Sequence, residues 1–576
     1  MMESDRKRRG WYCFLCVAAI VLQFGALTIA GENPGPAESA TEALRRGVEF
    51  WRTWKIDDAE SAFREAARLE PSSLAAAVGL ARVARARIDY AGALTLLDQA
   101  ARRHPNSALL LNEYGSIYLA AEEPGQARRY FASALQMSPT DAQATVGLAG
   151  VDLLERDFQS AIGRLAQCLE REPQNSSARS MLARALLEIN RESESAEEAR
   201  RAIAANPFNV EALFVLAYVR STERKADESR SLARRVVSLD PYNFSARRML
   251  SQYLDGRAGY EQKIAEPARK HYARGRSLKE SGELSRAAEE LEGALRIEPR
   301  YYRALIAIAD VWLRKGEYNR AAAAAHLATV VDPEGSIAHF ELSIAHRLIS
   351  ERARIAVGGV DFASLFYDGP APPAYAATRE IFPDYRLLTR RQQAVIDLSV
   401  GPLAMFLPRL VSRKARHYLL AFDQRPGDLQ GFPDVVGEKT FDGRYYASIR
   451  GVGGRVTVSG IEYLDQAALG GFNTIAHEFA HQIHIAALDK GEVSEIRRLY
   501  EQARREERML DYYAAANEEE YFAQGYEAFI SERKRPSAGL TGRHTRHELL
   551  ARDPEFYKFL VKLTGKTEAR IVGRAF

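Results

Sequence analysis

The sequence predicts a mainly α protein, with a superhelix of paired helices in front and a smaller α+β domain behind it. The first observation is a set of prolines that recur every 34 residues through much of the chain. The second is an HExxH motif nearer the C-terminus, within a run of apolar, helix-favouring residues. The third is a change of composition from residue 353 to residue 375, which indicates a linker between the two parts.

The prolines end units that share an internal pattern. Small residues stand twelve and five positions before the proline and a larger apolar residue stands eight before it, as with Ala59, Phe63 and Ala66 before Pro71. This pattern resembles tetratricopeptide repeats, in which a proline closes each pair of helices. The recurring prolines lie at positions 71, 105, 139, 173, 207, 241, 299 and 333, and the full pattern precedes, among others, those at 71, 139, 173 and 299.

The resemblance implies about eight repeats over residues 40–352. An irregular unit is expected near 252–267, because Pro241 and Pro299 are 58 residues apart rather than 68. Such arrays form superhelices whose concave face binds extended peptides or proteins, so a protein partner is expected there. The alternative is that the array is a spacer or a scaffold for its own chain.

Residues 376–576 are enough for one α+β domain. Two stretches of β-favouring residues, 441–449 and 455–459, predict a hairpin. The second is either an exposed edge to which a peptide substrate adds as a strand, or an ordinary strand under the motif helix. Helices are predicted at 389–399, 402–411, 473–487, 492–512 and 517–531.

The HExxH motif consists of His477, Glu478 and His481, and no other charged residue lies from Phe472 to Leu488. On a helix, positions i and i+4 lie one above the other, so both imidazoles can reach one ion. Burying two histidines and a carboxylate without partners is costly, and a metal is one reason to do so. The motif predicts a zinc site, with Glu478 as the base that takes a proton from water.

A catalytic zinc usually has three protein ligands. His484 continues the same helical stripe, but it lies two turns beyond His477, about 10 Å along the axis. We therefore interpret His484 as a packing residue or a support for a ligand.

A second stripe lies downstream, where helical spacing predicts one face formed by Tyr513, Asn517, Glu520, Gln524 and Glu527. A polar stripe on an aromatic helix indicates a site, with Asn517 and Glu527 as groups that orient a ligand histidine. The alternative is an ordinary helix start, with Asn517 as the N-cap and Glu520 in a capping box.

The two motifs together, HEFAH and then YxxxNxxEYFAxxxEAF, resemble the gluzincins, the zinc peptidases with a glutamate ligand. They are most similar to peptidase domains of the anthrax lethal factor type and to peptidase MA-like domains. The resemblance covers roughly residues 470–530. It implies one Zn²⁺ per chain, held by His477, His481 and Glu520, with Glu478 as general base. It also implies a tyrosine that stabilises the oxyanion, by position Tyr513, although Tyr512 is adjacent.

The N-terminus predicts export. Four basic residues, Arg6 to Arg9, precede the apolar run Trp11–Ala30, so residues 1–30 are either a signal peptide or an uncleaved membrane anchor. In both cases the body lies outside the cytoplasm, in the periplasm or the extracellular space. Two of the three cysteines lie in that run, which leaves only Cys168 in the body.

Charge argues against a nucleic-acid partner. Residues 1–30 hold four basic and two acidic residues, so the formal charge of +4 becomes +2 without them. The sequence thus predicts an exported or membrane-anchored zinc endopeptidase, with a repeat array that recruits a protein substrate or partner. The alternative is a non-catalytic repeat-based adaptor that carries a peptidase-derived domain.

Overall fold

The front part of the chain is an array of antiparallel helix pairs. The computed structural model describes residues 39–254, 262–358, 376–429, 437–440, 443–511, 513–532, 534 and 544–565. The predicted signal segment, residues 1–30, lies outside them. Six pairs come first: Ala40–Arg52 with Ile56–Leu69, Leu74–Ala86 with Tyr90–Ala101, Ala108–Ala120 with Pro124–Met137, Ala142–Leu154 with Phe158–Arg171, Ser176–Glu188 with Glu192–Ala205, and Val210–Thr222 with Ala226–Leu239.

The repeating sequence pattern explains the pairs. The polar residue two positions after each of the first six prolines caps the next helix, as Asp141 after Pro139 accepts a hydrogen bond from the N–H of Ala144 at 2.9 Å. The larger apolar residue fills the space between neighbouring helices that glycines leave open. A Cβ atom added to Gly115 would lie 2.7 Å from the ring of Phe131, so these helices approach closely.

The array is irregular where the proline interval is short. After the sixth pair the single helix Phe244–Gln252 precedes residues 255–261, which lie outside the described part. Two more pairs follow, and then a helix of 22 residues, Ser336–Val357, which we call the closing helix. The later pairs are Glu266–Glu280 with Leu284–Ile297, and Tyr302–Arg314 with Tyr318–Val331.

The closing helix joins the two blocks of pairs. It packs against Phe244–Gln252 as extensively as the two helices of a pair pack against each other. Near its end, Arg354 donates to Glu122 at 2.6 Å, and Ala353 packs against the cluster of the second and third pairs. The array therefore folds back on itself instead of remaining an open stack. The helix also extends five residues into the predicted linker 353–375, whose residues 359–375 are not among those described.

The C-terminal region is mainly helical and surrounds one apolar core. Phe382, Phe479, Phe522 and Phe529 are fully buried in it. Of the predicted 402–411 helix, the first half is a 3-10 helix, Gly401–Phe406. The α-helices are Ala376–Ile381, Arg390–Val400, Leu407–Ser412, Glu462–Ala468, Thr474–Ala486, Lys490–Arg505, Glu518–Ile530, Arg546–Arg552 and Pro554–Leu563.

The sheet differs from the predicted hairpin. It has three short strands, β1 (Arg416–Leu420), β2 (Gly451–Val452) and β3 (Val456–Gly460), in the order β1-β3-β2. β3 runs parallel to β1 and antiparallel to β2. No strand forms over residues 443–449, because Tyr446–Ser448 forms a 3-10 turn, and residues 441–442 lie outside the described part. Of the two alternatives for 455–459, the exposed edge was wrong, since β3 is central and β2 lies at the edge. β3 instead packs against the helix Thr474–Ala486, as the other alternative expected.

One segment of the described residues, Arg390–Ser412, is long and apolar enough to cross a membrane. It bends at Leu403, whose backbone is not helical, and more than half of it is buried inside the protein. Ile396 and Leu407 pack in the core. The segment therefore has the packing of a core helix.

The C-terminal region docks onto the last helices of the array. The backbone N–H of Phe422 donates to Asp310 at 2.9 Å, and Lys279 forms an ion pair with Asp423. The ring of Phe422 is buried in one apolar cluster with Trp312. Farther forward, Arg156 of the fourth pair contacts Glu548 at 2.5 Å. These contacts set the array and the C-terminal region in one arrangement.

Candidate metal centre

The HExxH motif lies on the helix Thr474–Ala486, which we call the motif helix. Its N-cap is Asn473, whose side chain accepts a hydrogen bond from the N–H of Ala476 at 3.1 Å. The helix is buried from Thr474 to His484, and the next residue, Ile485, is exposed. Apolar residues therefore fix the helix from several sides, and the two histidines share the side that faces the helix Glu518–Ile530.

The structure brings the three predicted ligand side chains together. Nε2 of His477 lies 3.2 Å from Nε2 of His481, and Oε2 of Glu520 lies 3.2 Å from the first and 3.5 Å from the second. Four-coordinate zinc with ligand distances of about 2.0–2.1 Å places its ligand atoms about 3.3–3.4 Å apart. Among the described residues, this is the one group of three histidine, cysteine or acidic side chains with ligand atoms this close.

The electrostatics of these side chains favour a cation. Burial acts to lower the pKa of His477, but the contact with Glu520 and the nearby Glu478 raise it above its ordinary value. Burial acts to raise the pKa of Glu520, yet its contacts with the two histidines hold it far below the usual range. Two imidazole nitrogens and a carboxylate oxygen that face one another need shared protons or a cation between them. The residues present therefore fit a divalent ion with nitrogen and oxygen ligands.

Glu478 lies beside this cluster, on the same helix. It is 7% exposed, and burial raises its pKa while His477 and His481 act in the opposite direction. A Cβ atom at Gly451 would lie 2.5 Å from its Oε1, so the backbone of β2 passes directly over the carboxylate. A buried carboxylate with a raised pKa is suited to accept and return a proton.

Tyr513 lies on a turn before the helix Glu518–Ile530, not on that helix. The predicted continuous helical stripe from Tyr513 was therefore wrong, because the helix begins only after Asn517. The hydroxyl of Tyr513 accepts a hydrogen bond from Arg444 at 3.3 Å. Tyr512 lies outside the described residues. No motif in the sequence indicates Arg444.

The remaining polar residues hold the two helices in place. Asn517 is the N-cap, since its side chain accepts from the N–H of Glu520 at 2.8 Å. Glu527 accepts from the backbone N–H of Asn473 at 2.8 Å and pairs with Lys534, so it anchors the start of the motif helix. His484 packs its ring against Phe522 and does not belong to the cluster.

Glycines form the other side of the centre, a role that we did not predict from the sequence. We call Gly451–Gly454 the wall. A Cβ atom at Gly453 would lie 2.5 Å from Cβ of His481, so only glycine allows this approach. Three glycines in four residues, shortly before an apolar HExxH helix, are the signal that points to such a wall.

Comparison with known proteins concerns the front part of the chain. Models described as tetratricopeptide repeat match residues 44–108, 79–142, 152–217, 192–244 and 272–336. The chain contains tetratricopeptide repeats. This confirms the repeats predicted from the prolines, and repeats of this kind generally bind protein partners. The matches end at residue 336, so the similarity to peptidases rests on the two motifs alone.

Three solved structures show a partial similarity to the chain. Cut9-Hcn1, an APC/C hetero-tetramer, is 16% identical over 53% of this chain and 55% of that chain, with a TM-score of 0.31. PilF of Pseudomonas aeruginosa is 18% identical over 35% and 92%, with a TM-score of 0.26. PilW, described as a widely conserved type IV pilus biogenesis factor, is 18% identical over 37% and 96%, with a TM-score of 0.27. No curated protein matches the chain.

The tetratricopeptide repeats contact the segment that leads into the wall. The carbonyl of Gln252, at the end of a repeat helix, accepts hydrogen bonds from the N–H of Tyr445 at 3.0 Å and from the hydroxyl of Ser448 at 3.2 Å. Ala226 of the sixth pair touches the backbone at Gly443. The repeats therefore hold the segment that carries Arg444.

Proposed function

We propose that the protein is a zinc-dependent endopeptidase, exported or membrane-anchored, whose repeats support the peptidase region and recruit a protein substrate or partner. The observation that carries the proposal is the triangle formed by His477, His481 and Glu520. Its edges of 3.2, 3.2 and 3.5 Å match the spacing of ligand atoms around one zinc ion. The export part rests on residues 1–30, which lie outside the described part of the chain.

We assign a role in the hydrolysis of a peptide bond to three side chains, Glu478, Tyr513 and Arg444. When bound, a zinc ion would polarise the peptide carbonyl and make water more acidic. Glu478 takes the proton of the attacking water and gives it to the leaving amine. Tyr513 donates from its hydroxyl to the oxygen that gains negative charge, and Arg444 orients that hydroxyl.

β2 offers a place for an extended substrate. It lies at the edge of the sheet and has one strand neighbour, β3, among the described residues. An extended peptide that pairs with the free edge of Gly451–Val452 passes next to Glu478, whose carboxylate lies against Gly451. Backbone pairing of this kind selects an unfolded or extended segment and depends little on its sequence.

The second candidate function is a non-catalytic repeat-based adaptor. It is favoured by the family matches, which fall within the repeats and leave the C-terminal region without a match. In that case the histidines and Glu520 are the remains of a site that no longer turns over. The adaptor has the same protein partner as the first candidate but no product.

The test uses the purified full-length chain and measures zinc content and cleavage of a peptide library. The wild type should hold about one zinc per chain, and His477→Ala should lose it. Glu478→Gln should keep the metal and lose cleavage by about 10²-fold or more, since general base catalysis contributes about 10²–10⁴. His484→Gln, on the same helix but outside the triangle, is the matched control and should keep both.

Two results decide against the enzyme. A wild-type chain that binds no zinc contradicts the metal centre. A chain that is fully loaded and cleaves no peptide supports the adaptor. Cleavage that is unchanged in Glu478→Gln would instead contradict the role of Glu478 as general base.

A further inference from the structure

The position of the wall relative to the motif helix is tightly constrained. A Cβ atom at Gly451 or Gly453 would lie only 2.5 Å from Glu478 or His481, so the wall is already in close contact with the motif helix. β2 has only two residues, and short strands of this kind contribute few hydrogen bonds of their own. Some other group has to fix the wall.

That group is the side chain of Arg450, the residue directly before the wall. It is 6% exposed, and its guanidinium donates to backbone carbonyls of Leu420 at 3.0 Å, Ala421 at 2.9 Å and Gln424 at 2.7 Å. Leu420 is the last residue of β1. The carbonyl of Arg450 accepts a hydrogen bond from Gly460, the last residue of β3, at 2.7 Å. One residue therefore connects all three strands.

The same guanidinium forms a buried ion pair. It donates to both carboxylate oxygens of Glu462, at 2.8 and 2.9 Å, in the paired geometry that only arginine provides. Glu462 is 1% exposed. Burial acts to raise the pKa of Glu462, but Arg450 outweighs it and holds that pKa below its ordinary value. The pair therefore stays charged, and each partner needs the other.

The repeat array contributes the opposite face of this cluster. The ring of Phe340, on the closing helix, lies 4.5 Å from the guanidinium carbon of Arg450 and 4.6 Å from that of Arg248. Arg248, on the repeat helix Phe244–Gln252, also approaches Glu462 at 3.8 Å and donates to the hydroxyl of Tyr463 at 3.0 Å. Two arginines, one ring and one carboxylate thus connect the array to the residue that precedes the wall.

We propose that Arg450 is a positioning residue that holds the wall over Glu478 and His481, and that Phe340 of the repeat array supports it through the face of its ring. The proposal rests on the proposed peptidase function for its consequence in catalysis, but not for its consequence in structure. Through Phe340 and Arg450, the array then helps to hold β2, the strand proposed to pair with the substrate. Neither residue touches the substrate.

The experiment measures hydrogen–deuterium exchange of the full-length chain together with zinc content and steady-state kinetics. In Arg450→Lys, the charge remains but the paired geometry is lost, so exchange in peptides covering 450–460 should rise at least tenfold. Exchange of the motif helix and zinc content should remain as in the wild type. KM should rise more than kcat falls, because β2 binds the substrate. Phe340→Leu should raise exchange in the same peptides by a smaller factor, about threefold.

Arg179→Lys is the matched control, because Arg179, on a helix of the fifth repeat pair, also pairs with a largely buried glutamate, Glu198, at 2.6 Å. It should leave exchange at 450–460 unchanged. Unchanged exchange there in Arg450→Lys overturns the proposal, and so does an equal rise across the array and the motif helix, which indicates general destabilisation. If exchange rises as expected while the wild type binds no zinc and cleaves nothing, the positioning role stands and the peptidase function fails.

Discussion

Apart from the closing helix, whose Arg354 reaches Glu122 across 232 residues, the repeat array differs from the C-terminal region in how far apart in sequence its contacting residues lie. In the array, Phe131 packs against Gly115 and Gly147, one helix away on either side. In the C-terminal region, Glu527 holds the start of the motif helix across 54 residues, and Arg444 meets Tyr513 across 69. The wall is also held by Phe340 of the array.

Because of this difference, substitutions in the two regions should affect different properties, stability in the array and activity near the centre. A local contact in a repeat can be lost while the rest of the array keeps its own contacts, because each repeat packs mainly on its neighbours. A centre assembled from distant segments depends on every one of those segments at once. Substitutions in the array should therefore change the free energy of unfolding, and substitutions near the centre should change activity in a chain that is still folded.

The largest expected effect is on stability, from Phe131→Ala. Phe131 is 1% exposed, and removing a buried ring should lower the free energy of unfolding by about 3–5 kcal/mol. Urea unfolding followed by circular dichroism measures this, and zinc content of the folded fraction should not change. Met137→Ala, on the same helix at a position 51% exposed, should stay within about 0.5 kcal/mol of the wild type. Loss of zinc in the folded fraction of Phe131→Ala would contradict the expectation that substitutions in the array leave the metal centre unchanged.

Gly453→Ala should lower activity in a chain that is still folded. Its new methyl group meets Cβ of His481, so the wall or the histidine has to move, and a misplacement of about 1 Å can reduce cleavage about 10²-fold. Cleavage of the peptide library and zinc affinity are the measurements. Gly163→Ala is the control, since no atom lies within 4 Å of the added Cβ, and it should stabilise its helix by up to about 1 kcal/mol. Equal behaviour of the two variants would mean that the wall is not close to the motif helix.

The smallest expected effect is a fall in the free energy of unfolding at low pH, caused by a histidine on the closing helix. Burial, with Arg247 and His326 nearby, lowers the pKa of His346 to about 3, and its ring packs on Tyr242 at 5.2 Å. Between its ordinary pKa of 6.5 and about 3, the unfolded chain binds a proton that the folded chain does not. Stability is therefore full above pH 6.5 and falls as the pH falls, by up to about 1.4 kcal/mol per pH unit.

His346→Phe keeps a ring against Tyr242 and removes the titration, so the loss of stability between pH 7.5 and pH 5 should be smaller than in the wild type. Urea unfolding at the two pH values measures it. His547→Phe, at an exposed position, should leave the wild-type difference unchanged. If His346→Phe and the wild type lose the same stability, the closing helix is not docked through a neutral His346.

Sequence patterns predict features whose partners are near in the chain. The prolines, the caps that follow them and the small residues before them define the repeats, because each acts within one helix pair. The spacing of His477 and His481 predicts that both reach one ion, because a helix places i and i+4 together. Glu520 was predicted by resemblance to the gluzincins, and the structure brings it next to both histidines.

Other features were missed because their partners are far away. The segment 441–449 favours a strand, yet Tyr446–Ser448 forms a turn, and Tyr445 and Ser448 donate to the carbonyl of Gln252 in the array. The sequence of β3 left open whether it lies at an edge, and the structure places it between two strands. Strand order depends on which segments meet, and a strand pattern is the same at an edge and at the centre.

From its residues alone, this chain specifies helices, their pairing and two imidazoles on one helical face, because these depend on spacings of a few residues. The contact between the two blocks of the array, the position of the wall over Glu478 and the contacts of Arg450 result from packing between segments that are distant in the chain. Packing depends on the shapes of both surfaces in contact, and the sequence of one segment does not specify the surface of the other.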